Sequence, residues 1–165
     1  MTKRLTKLAL LTAIALILFV VEAQIPVPIP VPGLKLGLAN IVTVYAVFAL
    51  GPRDALYILL VRCFLGSVFS GAMVTLLYSL GGGLLCWLAM LILYRVLTLR
   101  QIWVSGVVGA LCHNLGQTLV AAAVLKTATV FIYLPLLMLV GIFTGLFTGL
   151  CAQLLVNRLE GKTKP

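Results

Sequence analysis

Long apolar stretches, separated by short polar breaks, run along the whole chain. A helix needs roughly 20 mostly apolar residues to cross a bilayer, with about 17 to 25 observed. The pattern therefore predicts one all-α membrane domain, a bundle of six transmembrane helices. The predicted spans lie at about 8–23, 36–50, 54–70, 73–94, 102–125 and 130–156.

The composition excludes a soluble protein. Hydrophobic residues make up 63% of the 165 residues and charged residues 9%, and the mean hydropathy is +1.25. A soluble domain carries about 25% charged residues. So apolar a chain cannot stay solvated as a disordered polymer either, and we expect a multi-pass membrane protein.

The basic residues indicate the orientation of the bundle. Arg62 lies inside a span, and Lys35 and Lys126 lie on one side of the predicted membrane. The other basic residues lie on the side that holds both termini: Lys3, Arg4, Lys7, Arg53, Arg95, Arg100, Arg158, Lys162 and Lys164. Positive residues favour the cytoplasm, so we expect both termini to be cytoplasmic. This topology explains the net charge of +9 without a nucleic-acid partner.

Arg62 is a charged residue in the middle of a predicted span. It lies about nine residues from either end, hence about 13 Å deep at 1.5 Å per residue, where an arginine costs at least about 2.5 kcal/mol. One interpretation is structural, with the guanidinium paired to Glu22 or to backbone carbonyls. The other is functional, with the guanidinium holding an anionic group of a ligand.

The fifth span carries a second polar group, formed by His113, Asn114 and Gln117. His113 and Gln117 are four residues apart, so they share a helix face with Gly109, at about the depth of Arg62. These side chains either line a substrate-binding cavity or act as hydrogen bonds between helices, which contribute about 0.6 kcal/mol on average.

The outer loop at 25–35 has a proline at every second position: Pro26, Pro28, Pro30 and Pro32. Alternating proline removes backbone donors and favours an extended polyproline II conformation. At 3.1 Å per residue the loop spans about 30 Å, enough to cross the mouth of a six-helix bundle. It is predicted to be either a gate over a ligand or a rigid connector.

No residue pattern predicts a cofactor or metal site. Each cysteine falls in a different span, and one histidine is too few for a zinc, haem or iron–sulfur site with them. We interpret Cys63, Cys86, Cys112 and Cys151 as small buried apolar residues.

Small residues recur at helical spacing in two spans. Ala9 and Ala13 share a stripe on the first helix, and Gly141, Gly145 and Gly149 share one on the sixth. Such stripes let helix backbones approach closely. For the glycines we favour packing within the chain.

The segment Pro32–Thr43, with the sequence PGLKLGLANIVT, resembles the signature of a bacterial membrane family. This is the Gx transporter family, also described as heptaprenyl diphosphate synthase component I. Its organisation is similar to that of the substrate-binding S components of energy-coupling factor (ECF) transporters. The resemblance covers essentially the whole chain.

The resemblance implies roles that the composition does not. The A-x-x-x-A stripe of an S component docks onto a membrane coupling subunit driven by two ATPases, and the first outer loop gates the ligand. Ala9 and Ala13 match the stripe. Gly33, Gly37 and Asn40 fall inside the matching signature beside Lys35, and are expected gate or substrate-binding residues.

These features predict a substrate-binding subunit that takes up a small anionic molecule. The expected binding residues are Lys35, Asn40, Arg62, His113, Asn114 and Gln117. The chain lacks a G-x-x-x-x-G-K-[ST] motif and the paired aspartate clusters that hold magnesium in prenyl synthases, so we expect no enzyme. The alternative is a non-catalytic component of polyprenyl diphosphate synthesis or of quinone-linked electron transfer.

Overall fold

The computed structural model describes residues 2–24, 37–159 and 161. Within these ranges it contains six α-helices and no strand, which confirms the all-α prediction. The helices are α1 (Thr2–Ala23), α2 (Asn40–Ala49), α3 (Pro52–Ser70), α4 (Met73–Val96), α5 (Ile102–Leu125) and α6 (Leu134–Leu159). Short 3₁₀ helices, Leu99–Gln101 and Ala128–Tyr133, precede α5 and α6.

Two helices begin later than the sequence predicts. The second begins at Asn40 rather than at residue 36, because Gly37 has a φ of 86° and a turn follows it. The sixth begins at Leu134 rather than at residue 130. Pro135 explains that start, because proline is well accommodated only in the first turn of an α-helix.

Four helical segments of the described chain are long and apolar enough to cross a membrane: Thr2–Glu22, Met73–Val96, Leu99–Leu125 and Ala128–Leu159. The 10 residues of α2 cover about 15 Å, half of a bilayer's hydrocarbon core. The 19 residues of α3 are long enough to cross, but they include Arg53, Asp54 and Arg62.

The short helix α2 lies in the centre of the bundle. It packs against each of the other five helices, and its residues are buried except Ile41 and Ala49. Its apolar side chains form a core with residues from its neighbours, such as Ile58, Met90 and Val156. This position places the polar first residue of α2, Asn40, inside the protein.

The outer faces of the long helices are apolar. Large side chains such as Leu10 and Ile17 on α1, and Phe143, Phe147 and Leu154 on α6, are exposed. A soluble protein does not expose so much contiguous apolar surface. The protein is therefore a membrane protein whose outer faces contact lipid.

The glycine series of α6 packs against α5, which confirms the interpretation of this series as packing within the chain. A Cβ added to Gly145 would lie 2.7 Å from Cα of Val107 and 2.8 Å from the carbonyl oxygen of Gly106. A Cβ on Gly149 would lie 2.5 Å from the carbonyl oxygen of Trp103. The backbones of α5 and α6 are so close that these positions require glycine.

Candidate functional site

Four polar side chains from three helices are buried together in the bundle. Asn40 comes from α2, Arg62 from α3, and His113 and Gln117 from α5. Each is at most 4% exposed. We call these four residues the polar cluster; all of them are predicted binding residues.

Gly37, just before α2, lies close to side chains of both α2 and α5. A Cβ on this residue would lie 2.9 Å from Nδ2 of Asn40 and 3.3 Å from Cδ2 of His113. Its φ of 86° also disfavours any residue with a Cβ. Gly37, a predicted gate residue, therefore lies directly against the polar cluster.

Glu22 holds the start of α2 in place. Its carboxylate is 2% exposed and accepts hydrogen bonds from the backbone N–H groups of Gly37 and of Ala39, the latter at 3.4 Å. A helix N-terminus has unpaired N–H groups and a positive dipole end, so a carboxylate is stabilised there. Sequence reasoning missed this role, since it considered Glu22 only as a partner for Arg62. The signal was a lone acid at the outer end of α1, next to a glycine-containing segment.

The side chain of Arg62 is buried, 4% exposed. Its Nε has no hydrogen-bond partner among the described residues, and its Nη2 lies 4.0 Å from Sγ of Cys63. Arg62 is close enough to His113 and Cys86 for its charge to act on both. A buried charge is costly without partners, so this arginine is suited to bind an anion.

His113 and Gln117 interact along one face of α5, as their spacing predicts. Nε2 of His113 lies 3.0 Å from Nε2 of Gln117, and Nδ1 of His113 has no partner in the described part of the chain. Gly82 of α4 makes room for both side chains, because a Cβ there would lie 2.9 Å from Cε1 of His113 and 2.7 Å from Cγ of Gln117.

Asn114 interacts with a different helix. Its Nδ2 donates a 2.7 Å hydrogen bond to the carbonyl of Leu137 on α6. The polar cluster is on another side of α5, so the structure does not bring Asn114 into it. Asn114 therefore forms a hydrogen bond between α5 and α6. Its role in binding stays a prediction.

Several polar atoms of the cluster would be available to a ligand, as far as the described residues show. Both amide atoms of Asn40, Nε of Arg62 and Nδ1 of His113 are buried without hydrogen-bond partners within the described ranges. Buried polar groups are nearly always paired, since an unpaired one costs about 1–3 kcal/mol. A polar ligand or water at this place would pair them.

The outer loop cannot be compared with its prediction. Lys35, Gly33 and the prolines Pro26, Pro28, Pro30 and Pro32 lie outside the described residues. The gate role of this segment stays a prediction.

Ala9 and Ala13 line a groove of about 660 Å³ between α1 and α3. Both alanines are exposed. Arg4, which also borders this groove, forms an ion pair with Asp54 of α3. The stripe of α1 is therefore accessible from the side of the bundle.

A second cleft, of about 480 Å³, lies between α1, α2 and α6. It is lined mostly by apolar side chains, such as Leu10 and Leu18 from α1, Tyr45 from α2 and Leu155 from α6. Lys7 contributes a cationic group to its lining.

Comparison with known proteins identifies the family. Searches of curated proteins and of solved structures find no match. The sequence profile of the family described as "Heptaprenyl diphosphate synthase component I" matches residues 11–155. This match covers most of the chain and agrees with the resemblance carried by Pro32–Thr43. The protein therefore belongs to the heptaprenyl diphosphate synthase component I family.

Proposed function

We propose that the protein is the membrane-embedded substrate-binding subunit of a transporter for a small anionic molecule. Six helices cross or enter the bacterial plasma membrane, both termini are cytoplasmic, and the outer loop at 25–35 gates the site. The polar cluster supports this function, because Arg62 is buried close enough to His113 for its charge to act there. Its Nε and atoms of His113 and Asn40 have no hydrogen-bond partner among the described residues. Ionisable residues within a membrane protein commonly mark the path of a substrate.

In this proposal the chain itself does not supply the energy for transport. It has no phosphate-binding loop, so ATP hydrolysis belongs to partner subunits. By analogy with S components, a coupling subunit with two ATPases would dock on the stripe of Ala9 and Ala13. The accessibility of that stripe along the groove between α1 and α3 supports this part of the proposal.

An alternative function is favoured by the apolar cleft between α1, α2 and α6. In it, the chain is a non-catalytic membrane component for polyprenyl diphosphate synthesis or quinone-linked electron transfer. An isoprenoid chain is apolar enough for the cleft, and Lys7 would attract an anionic head group. The chain has a single aspartate, Asp54, which pairs with Arg4. It therefore does not supply the clustered carboxylates that a magnesium–diphosphate site needs.

Arg62→Ala tests the transporter function. The protein is purified gently from its own membranes, and bound small molecules and copurified subunits are identified by native mass spectrometry. The wild type is expected to retain a small polar anion and an ATPase-containing complex. Arg62→Ala is expected to lose the anion, since the buried guanidinium provides its countercharge, while the protein still inserts and folds.

Arg53→Ala is the matched control, because Arg53 lies on the same helix and is exposed. It is expected to retain the anion. Full anion occupancy in Arg62→Ala would contradict the role of Arg62. A bound prenyl diphosphate or quinone, copurified with a soluble synthase or reductase, would support the alternative function instead.

A further inference from the structure

The orientation of the Gln117 amide decides which ring nitrogen of His113 carries the proton. The Nε2 atom of a glutamine amide only donates hydrogen bonds. With the amide oriented as in the structure, Nε2 of His113, at 3.0 Å from Nε2 of Gln117, is the acceptor and carries no proton. In this orientation His113 is the neutral tautomer with its proton on Nδ1, which makes no close hydrogen bond within the described chain.

The unpaired atoms of the polar cluster then form a defined set. Nε–H of Arg62, Nδ1–H of His113 and the amide N–H groups of Asn40 are donors, and Oδ1 of Asn40 is an acceptor. Three residues therefore offer hydrogen bonds to an anion. One atom, Oδ1 of Asn40, is an acceptor that a hydrogen-bond donor on the ligand would pair.

The positive charge of Arg62 limits which group of the ligand can donate to Oδ1 of Asn40. An ammonium group would bring a second positive charge close to Arg62. The carboxylate nearest to the start of α2, Glu22, already accepts hydrogen bonds from the backbone of Gly37 and Ala39. A neutral hydroxyl satisfies Oδ1 of Asn40 without this repulsion.

We propose that the polar cluster selects a hydroxycarboxylate. The carboxylate accepts from Arg62 and His113, and a neighbouring hydroxyl donates to Oδ1 of Asn40. This inference rests on the proposed function and specifies its substrate class. Gln117 is a positioning residue, because it keeps the proton of His113 on Nδ1.

The single histidine of the chain makes the tautomer directly measurable. In protein labelled with ¹⁵N-histidine and reconstituted in nanodiscs, the ¹⁵N spectrum shows which ring nitrogen carries the proton. We expect the Nδ1–H tautomer in the wild type. Gln117→Met is expected to release this preference, whereas Gln101→Met, at an exposed glutamine near the start of α5, is expected to keep it.

Pairs of acids that differ by one hydroxyl test the substrate class. Lactate is compared with propionate, and malate with succinate, by the shift of the His113 resonances during titration. We expect the hydroxylated acid to bind at least about tenfold more tightly, because its analogue leaves Oδ1 of Asn40 buried and unpaired. In Asn40→Ala the two members of a pair should bind equally.

The outcomes separate this inference from the proposed function. An Nε2–H tautomer, equal binding within each pair, or no shift with any of these acids would overturn the hydroxycarboxylate assignment. The transporter function would still stand if Arg62 were needed to retain another anion, such as inorganic phosphate, in the native preparation. If the acids do not bind as expected and Arg62 is not needed to retain any anion, both proposals are overturned.

Discussion

Glu22 and Gly37 together determine where the polar cluster forms. A buried carboxylate is costly unless it is hydrogen-bonded, and Glu22 meets this need with the backbone N–H groups that precede α2. Gly37 lets the chain turn there and lets His113 and Asn40 approach the backbone. A glutamate on α1 thus positions an asparagine on α2 beside a histidine on α5.

Gly37→Ala is expected to disturb the polar cluster and not only the backbone. The new Cβ would lie 2.9 Å from Nδ2 of Asn40, in a conformation with a φ of 86°. We expect the free energy of unfolding to fall by about 1–3 kcal/mol and the copurified anion to be lost. Thermal unfolding and native mass spectrometry measure the two effects.

Gly71→Ala is the control for backbone strain alone. Gly71 also has a positive φ, of 65°, but nothing lies within 4 Å of an added Cβ. This variant should lose some stability and keep the anion. Retention of the anion in Gly37→Ala as well would show that Gly37 has no part in the site.

At the scale of the elements, α2 explains how a polar site is buried in an apolar bundle. A helix of 10 residues is too short to cross the hydrocarbon core, so in a bilayer one of its ends would lie within that region. Non-helical backbone is tolerated at that depth only inside protein or along a cavity. Because the other five helices surround α2, its N-terminal end provides such a place.

The close contact of α5 and α6 predicts a specific sensitivity to added volume. In Gly145→Ala the Cβ would meet backbone atoms, Cα of Val107 at 2.7 Å and the carbonyl oxygen of Gly106 at 2.8 Å, which cannot rotate away. We expect a loss of about 1–3 kcal/mol in unfolding free energy, measured by denaturant titration in detergent.

Phe143→Ala on the same helix provides the comparison. Phe143 is 67% exposed, so removing its ring should change the stability much less, although far more atoms are lost. A larger effect for Phe143→Ala than for Gly145→Ala would show that α6 is not held by its glycine face.

The sequence predicted the helices better than the contacts between them. Hydropathy placed α5 at the observed residues, and the i,i+4 spacing paired His113 with Gln117. These sequence patterns did not show that α2 begins after a turn at Gly37, or that Glu22 caps the start of α2. Both features depend on contacts between residues that are distant in the chain. The periodicity of apolar residues carries no information about such contacts. Asn114 likewise shares its helix with His113 but bonds to α6.

At the scale of the whole molecule, α1 is among the least enclosed of the long apolar helices in the described chain. Most of its side chains are exposed, and it borders both the groove with α3 and the apolar cleft with α2 and α6. Arg4 attaches its first turn to Asp54, and Glu22 attaches its last turn to the segment before α2. A helix held at both ends, with open sides, is suited to receive a partner in the membrane.

The double variant Ala9→Trp with Ala13→Trp tests whether that partner docks on the α1 stripe. Indole rings at both positions would fill the groove between α1 and α3 and should prevent copurification of a coupling subunit, while anion binding at the polar cluster persists. Ile17→Trp is the control, because Ile17 is 62% exposed on α1 and is not part of the groove lining. An intact complex in the double variant would mean that the groove is not the docking face. A partner helix that docks closely on this stripe needs small side chains there, and two tryptophans would keep it away.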